Sequence, residues 1–190
     1  MKEINFDSGY CKTHMKRFYK TLEFMADLDL KHLKILNLGP MNPLSDLLKK
    51  NGYDITNTNK NQDLDLDFKI VQDQQFDVVI GFEILEHLVS PFPLLNSISA
   101  NYLVLSVPLS LWFTKSYWNE NDPYDRHYHE FEPRQLKMLL NKANWKVVKE
   151  EKHVSVTRKI GVRPLLRLFT PRYYYVYCER ELNTKTHKRH

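Results

Sequence analysis

FDVVIGFEILEHL, residues Phe76 to Leu88, opens as a buried strand and closes as a helical turn. Asp77 to Phe82 is an apolar run of strand length, and the stretch around Ile84 to Leu88 changes to helical spacing. Pro91-Phe92-Pro93 breaks that helix, and Leu94 to Ile98 resumes it. The same alternation of strand and helix continues on both sides. Upstream, Leu33 to Leu38 (LKILNL) reads as a buried strand stopped by Gly39-Pro40. A helix follows, with Asn42 as its cap, Pro43 in its first turn, Gly52 at its end and Leu44, Leu47 and Leu48 on its apolar face. Tyr53 to Thr58 alternates as a strand, and Asp63-Leu64-Asp65-Leu66-Asp67 alternates as a second, short one. Downstream, Tyr102 to Val107 is a buried strand ended by Pro108, and Glu132-Pro133 opens a helix carrying Leu136, Leu139, Leu140 and Ala143. Trp145 to Val154 and Tyr173 to Arg180 complete the strands, and Lys16 to Leu28 has helical spacing near the N-terminus.

This order predicts an α/β fold: a Rossmann-like, doubly wound, seven-stranded sheet, mostly parallel, with an antiparallel C-terminal edge strand and helices on both faces. The bulk numbers agree. The chain has 190 residues, 42% of them hydrophobic, enough for one domain with its own core. Two cysteines, Cys11 and Cys178, make neither a disulfide framework nor a metal-type spacing. The N-terminus lacks the apolar stretch of a signal peptide and no run reaches membrane-spanning length, so a cytoplasmic protein is expected. The formal net charge is +5, and from Arg158 onward nine Lys/Arg stand against two Glu. That end suits an anionic partner, and equally a solvated tail.

In doubly wound sheets, ligands bind beyond the carboxyl ends of the strands. After the first strand the chain reads Asn37-Leu38-Gly39-Pro40-Met41-Asn42-Pro43. A tight turn into a helix N-terminus favours an anion: a pyrophosphate in a dinucleotide enzyme, a methionine carboxylate in a methyltransferase. An ordinary connecting turn reads these residues as well, since Gly39 is the one glycine there. Asn59 stands where an acidic residue usually holds ribose hydroxyls. Its amide can donate and accept, without the charge-assisted strength of a carboxylate. Asp63 and Asp65 follow, and suit the base or ribose or a solvated loop.

The FDVV strand with its Glu83-Ile84-Leu85-Glu86-His87-Leu88 turn resembles class I S-adenosylmethionine-dependent methyltransferases of the small-molecule O-methyltransferase-like type. KILNLG is similar to the first motif of that family, YLVLSVP to its fifth strand, and RHYHEFEPRQLKMLLNKANW (Arg126 to Trp145) to its H-x-H-x-F-x-P segment. The resemblance covers Lys34 to Val154. It departs at Asn37, Met41, Pro43 and Asn59, where the family carries an acid, two glycines and another acid. It implies one domain over 1–190: a helical cap at 1–33, a cofactor-binding core at 34–155, and an edge strand with a basic insertion and tail at 156–190. It further implies S-adenosylmethionine as cofactor. Asn37, Gly39, Pro40 and Met41 would lie at the methionine end and Asn59 at the ribose. Asp63 and Leu64, with Asp65, would lie near the adenine, and Phe82 and Glu83 beside the sulfonium. Glu86 and His87 read as fold determinants.

Methyl transfer needs alignment of acceptor and methyl above all, and a hydroxyl acceptor gains from a general base. His127, by its family position, is the expected base; anchoring the loop through hydrogen bonds is its other reading. The loop from Leu109 to Tyr128 is rich in aromatics, and Trp112, Trp118, Tyr124, Arg126 and His129 are expected to line an acceptor pocket. The His, Asp and Glu spacings predict no metal. Arg158 to Arg172 (RKIGVRPLLRLFTPR) suits a membrane surface or a phosphorylated lipid-linked acceptor, and also a short helix covering the sheet edge. The expected activity is O-methylation of a small-molecule or glycan-type acceptor. A non-catalytic binding protein of the same fold is the alternative. A nucleic-acid methyltransferase is third and disfavoured, for lack of an N/D-P-P-Y/F tetrapeptide. A nicotinamide oxidoreductase is disfavoured by the EHL turn.

Overall fold

The computed structural model describes residues 9–122, 125–154 and 161–181. Strands β1 (Lys34–Asn37), β2 (Asp54–Asn57), β3 (Val78–Phe82), β4 (Tyr102–Pro108), β5 (Trp145–Val154) and β6 (Pro171–Arg180) form one sheet in the order β2-β1-β3-β4-β6-β5. The first four pair in parallel, and β6 runs antiparallel to both neighbours, β4 and β5. The α/β, Rossmann-like expectation holds, with two differences. The described residues form six strands rather than seven, and the antiparallel C-terminal strand lies inside the sheet, leaving β5 at the edge.

The missing strand is the Asp63–Asp67 alternation. Its aspartates bond locally: Asp63 Oδ1 accepts the Asp65 amide at 2.9 Å and Asp67 Oδ1 accepts that of Lys69 at 3.1 Å. Such side chains offer the backbone a turn in place of a ladder. Leu64 enters the core while Leu66 is 80% exposed, so the two leucines do not share a buried face.

Among the described residues five α-helices cover the sheet: α1 (Gly9–Ala26), α2 (Pro43–Lys50), α3 (Pro91–Ser97), α4 (Pro133–Lys142) and α5 (Val162–Phe169). Alternation along the strands sorts their side chains between two cores. On one face Ile35, Ile80, Val104 and Tyr175 pack with Phe18, Phe24 and Met25 of α1 and Leu44 and Leu48 of α2. On the other, Leu36, Val79, Leu103 and Tyr174 pack with Leu94 and Leu95 of α3 and Leu136 and Leu140 of α4. Trp145 ties β5 to this second core by donating its indole N–H to the Leu95 carbonyl at 3.0 Å.

Local chemistry sets the helix ends. The Asn42 side chain accepts the Ser45 amide at 2.9 Å while Ser45 Oγ accepts the Asn42 amide at 3.0 Å, a reciprocal cap over Pro43. Gly52, with φ +90°, ends the α2 turn in a conformation that favours glycine. At α3, Asp65 accepts the amides of Val89 and Ser90, each at 3.0 Å. Helix α5 bridges β5 and β6 on part of the basic stretch; Arg158 lies outside the described residues. Among the described residues no helix is long and apolar enough to cross a membrane.

Candidate cofactor and acceptor site

The strand order reverses between β1 and β3, since the chain leaves β1 for β2 on one side and returns to β3 on the other. Such a reversal opens a crevice beyond the carboxyl ends of the two strands. Gly39 follows β1 with φ +128°, where an L side chain is strained, and a Cβ there would meet Ile84 Cδ1 at 3.4 Å. The turns after β1 and β3 therefore lie side by side at this crevice.

On the β1 side, Asn37 is buried, and its amide donates to Asn57 Oδ1 at 2.9 Å and to the Gly39 carbonyl at 3.4 Å. The Gly39 N–H donates to Thr58 Oγ1 at 2.7 Å. Pro40 and Pro43 carry no N–H, so this turn offers an anion fewer backbone donors than a glycine-rich loop. Pro40 and Met41 are exposed at its rim. Asn59 lies two residues beyond β2, and with Asn61, Gln62, Asp67, Lys69 and Ile70 lines a pocket of about 500 Å³. Asn57, which sequence reasoning passed over, pairs in register with Asn37 at the strand end. Of the adenine candidates, Leu64 is buried in the core, Asp63 forms its local turn, and Asp65 is committed to the start of α3.

On the β3 side, half-buried Phe82 packs against the α1 face of the sheet. Glu83 takes φ +57°, a left-handed backbone that costs on the order of 1–3 kcal/mol for a non-glycine residue. Ser106 Oγ donates to Glu83 Oε1 at 2.9 Å, and Arg17 Nη1 on α1 donates to Oε2 at 3.3 Å. Burial raises the Glu83 carboxyl above the usual range; Arg17, Ser106 and Arg172 oppose that rise. Arg17 is the second residue that sequence reasoning missed, because only the fold brings α1 over β3. Ser106 left a signal: a polar residue inside YLVLSV.

Next in the turn, Glu86 is 1% exposed, and burial followed by the Glu83 charge raises its carboxyl well above the usual range. Its carbonyl accepts the amides of Tyr128 at 2.8 Å and His129 at 3.3 Å, which joins the 109–131 loop to the β3 turn. The base of the loop is stapled: Leu109 bridges Phe131, and Ser110 N–H donates to the Phe131 carbonyl at 3.0 Å. His87 Nδ1 lies 3.0 Å from the Arg126 carbonyl, which assigns it the proton. The His127 ring meets that of His87 edge-on at 5.0 Å, and its Nδ1 lies 3.7 Å from Glu130 Oε1. Burial first, then the charges of His87 and Arg172, lowers His127 to about 4, so the ring is neutral at pH 7.

The remaining acceptor candidates divide. The Arg126 guanidinium lies 4.5 Å over the Trp118 ring, and its Nε donates to the Asn119 carbonyl at 2.9 Å. His129 Nε2 stands 3.2 Å from the Val89 carbonyl, away from the crevice and toward the start of α3. Trp112 is 81% exposed. Tyr124 lies outside the described residues.

A family profile described as "Methyltransferase domain" matches residues 13–150, well over half the chain. The chain belongs to that family. This methyltransferase domain is also similar in structure to solved proteins. A SAM-dependent methyltransferase from Archaeoglobus fulgidus is 18% identical, with TM-score 0.62, covering 91% of this chain and 100% of the other. Magnesium protoporphyrin IX methyltransferase from Synechocystis, solved with bound SAH, is 14% identical, with TM-score 0.54, covering 95% and 90%. A SAM-dependent methyltransferase from Methanosarcina mazei is 13% identical, with TM-score 0.52, covering 85% and 98%. At these identities the likeness is one of fold. The S-adenosylmethionine cofactor expected from the sequence agrees with all three. A search of curated proteins finds no match to the chain.

Proposed function

We propose that the protein transfers the methyl group of S-adenosylmethionine to an oxygen of a small-molecule, glycan-type or lipid-linked acceptor. The observation that carries this reading is the Arg17–Glu83 charge pair beside the Gly39 turn. The methionine end of the cofactor bears both a carboxylate and an ammonium. Arg17 and Glu83 complement those two charges and offset the few backbone donors of the β1 turn. Asn57 and Asn59 supply neutral hydrogen bonds on the ribose side.

S-adenosylmethionine supplies a methyl group on a sulfonium, already set for in-line displacement. The chain's own part is alignment and the exclusion of water, for which the stapled 109–131 loop is suited. His127 is neutral at pH 7 and its ring can take the acceptor's proton. With its pKa near 4 it is a weak base, so alignment carries more of the rate than proton abstraction. Beside the loop, α5 exposes Leu165, Leu168 and Phe169, and Leu109 N–H donates to Arg172 just beyond that helix. That apolar rim supports an acceptor with a lipid portion, or contact with a membrane surface.

One observation favours the second reading, a binding protein without turnover: the Gly39 amide is already spent on Thr58. Calorimetric titration with S-adenosylmethionine and S-adenosylhomocysteine separates the two. No binding at millimolar cofactor sinks the enzyme reading. Binding without methyl transfer to any oxygen acceptor favours the second, and label appearing in RNA would overturn the acceptor class.

A further inference from the structure

Close to Glu83 lies a second polar cluster, outside the residues assigned to the cofactor above. One ligand atom each from Glu86, His87 and His127 lie within 4.8 Å of one another. Two elements converge to make it: the turn after β3 brings Glu86 and His87, and the 109–131 loop folds back to bring His127. Glu86 is 1% exposed, yet neither of its carboxylate oxygens has a hydrogen-bond partner among the described residues. His127 Nδ1 also makes no hydrogen bond, with Glu130 Oε1 standing 3.7 Å from it. Buried polar groups are nearly always paired, and a buried carboxylate with both oxygens open is among the most costly exceptions. A cation is the partner that would satisfy it.

Three further features fit a cation. The hydrogen bond of His87 Nδ1 to the Arg126 carbonyl leaves the Nε2 lone pair free, and Nε2 stands 4.0 Å from Glu86 Oε1. Fixing one ring nitrogen on a carbonyl so that the other can ligate is a usual arrangement around metal-bound histidine. Three donors at about 2.1 Å from a shared ion stand about 3.4 Å apart in tetrahedral geometry, so the three groups close on an ion with side-chain movements of up to about 1.4 Å. The donor set is two imidazoles and one carboxylate. Imidazole favours borderline ions such as Zn²⁺ over Mg²⁺ or Ca²⁺, which prefer all-oxygen sites.

We propose that Glu86, His87 and His127 bind one divalent first-row transition cation of the Zn²⁺ or Co²⁺ type. The sequence spacing predicted no metal because His127 lies far from the Glu86-His87 pair in the chain and meets it only in the fold. Three protein ligands leave at least one coordination position open to water or another oxygen donor. The cation joins the β3 turn to the acceptor-side loop and adds to the amide bonds that Tyr128 and His129 make to Glu86. The site rests on its own geometry and not on the methyltransferase reading, and in the ion-loaded chain His127 serves as a ligand in place of the base role given to it above.

The test uses the full chain, stripped with EDTA and carrying no histidine tag. Zn²⁺ is titrated by calorimetry, and Co²⁺ by its visible absorption. The expected result is one equivalent of either ion per chain, with a Co²⁺ band of a nitrogen- and oxygen-ligated site. Glu86→Gln keeps the shape of the side chain, and it and His127→Asn should each weaken binding by at least about tenfold. Zn²⁺ should also slow amide exchange across 125–131. Failure of the wild-type chain to take up a stoichiometric ion overturns the proposal. So does undiminished binding by both variants, which would place the ion elsewhere, for example on His187 and His190. A parallel S-adenosylhomocysteine titration keeps the two readings apart: cofactor binding without ion uptake removes the metal site alone.

Discussion

Replacing Gly39 by alanine isolates the geometry of the β1 turn. The residue sits at φ +128°, and a Cβ there would meet nothing closer than Ile84 Cδ1 at 3.4 Å. That is ordinary van der Waals distance, so the penalty is conformational and not steric. A residue forced into such a region costs about 1–3 kcal/mol. For a chain of this size the melting temperature should fall by roughly 2–12 °C. The turn can instead relax, and cofactor binding must then restore the strained form. The same energy is withdrawn from affinity, a loss of roughly 5- to 160-fold. Gly52→Ala is the matched control: φ is +90°, nothing lies within 4 Å of its Cβ, and it is remote from the crevice at the far end of α2. It should lower the melting temperature comparably and leave affinity alone. Urea and thermal denaturation followed by circular dichroism, with calorimetric titration of S-adenosylhomocysteine, measure both quantities. A Gly39→Ala protein that melts and binds like wild type refutes the reasoning. Equal affinity losses in the two variants would refute the placement of the site at the β1 turn.

Other substitutions read single contacts. Asp65→Ala removes the acceptor of the Val89 and Ser90 amides and should cost about 0.5–2 kcal/mol, the range for helix caps, with faster amide exchange at the start of α3. Trp145→Phe leaves the Leu95 carbonyl without its buried donor and should lower stability by about 1–3 kcal/mol in urea denaturation. His127→Ala should cut turnover while sparing cofactor affinity; an unchanged rate removes it from the acceptor chemistry. Burial pushes the Cys178 thiol up to about 12, so at pH 8 it is almost entirely protonated and enclosed. Peptide mapping after iodoacetamide treatment should find Cys178 unmodified in the native protein and modified once the chain is unfolded.

Strands β1, β3 and β4 were legible because they are continuous apolar runs, as parallel strands buried on both faces are, while β2 was legible from its alternation. The Asp-Leu-Asp-Leu-Asp repeat misled because period-two alternation marks a strand only when the backbone amides go to a neighbouring strand. Here the aspartates accept them. The insertion of β6 between β4 and β5 left no trace in local pattern, since strand order follows from long-range pairing. The structure places Gly39 after β1 and Glu83 after β3, the first where strand order and the second where the family resemblance put it. Asn57 was passed over because the strand ends two residues before Asn59, and register with Asn37 selects the nearer asparagine. Arg17 and the meeting of His127 with Glu86 required the folded chain.

The staple at the foot of the 109–131 loop separates two kinds of change. Pro108, Leu109, Ser110 and Phe131 close the loop on itself through backbone bonds, and Tyr128 and His129 fasten it to Glu86 without using their side chains. Insertions or replacements between Ser110 and Arg126 therefore act on the tip and leave the turns after β1 and β3 where they are. On the proposed assignment of the site, a scaffold joined in this way would let one segment be exchanged for a new acceptor without disturbing the cofactor half.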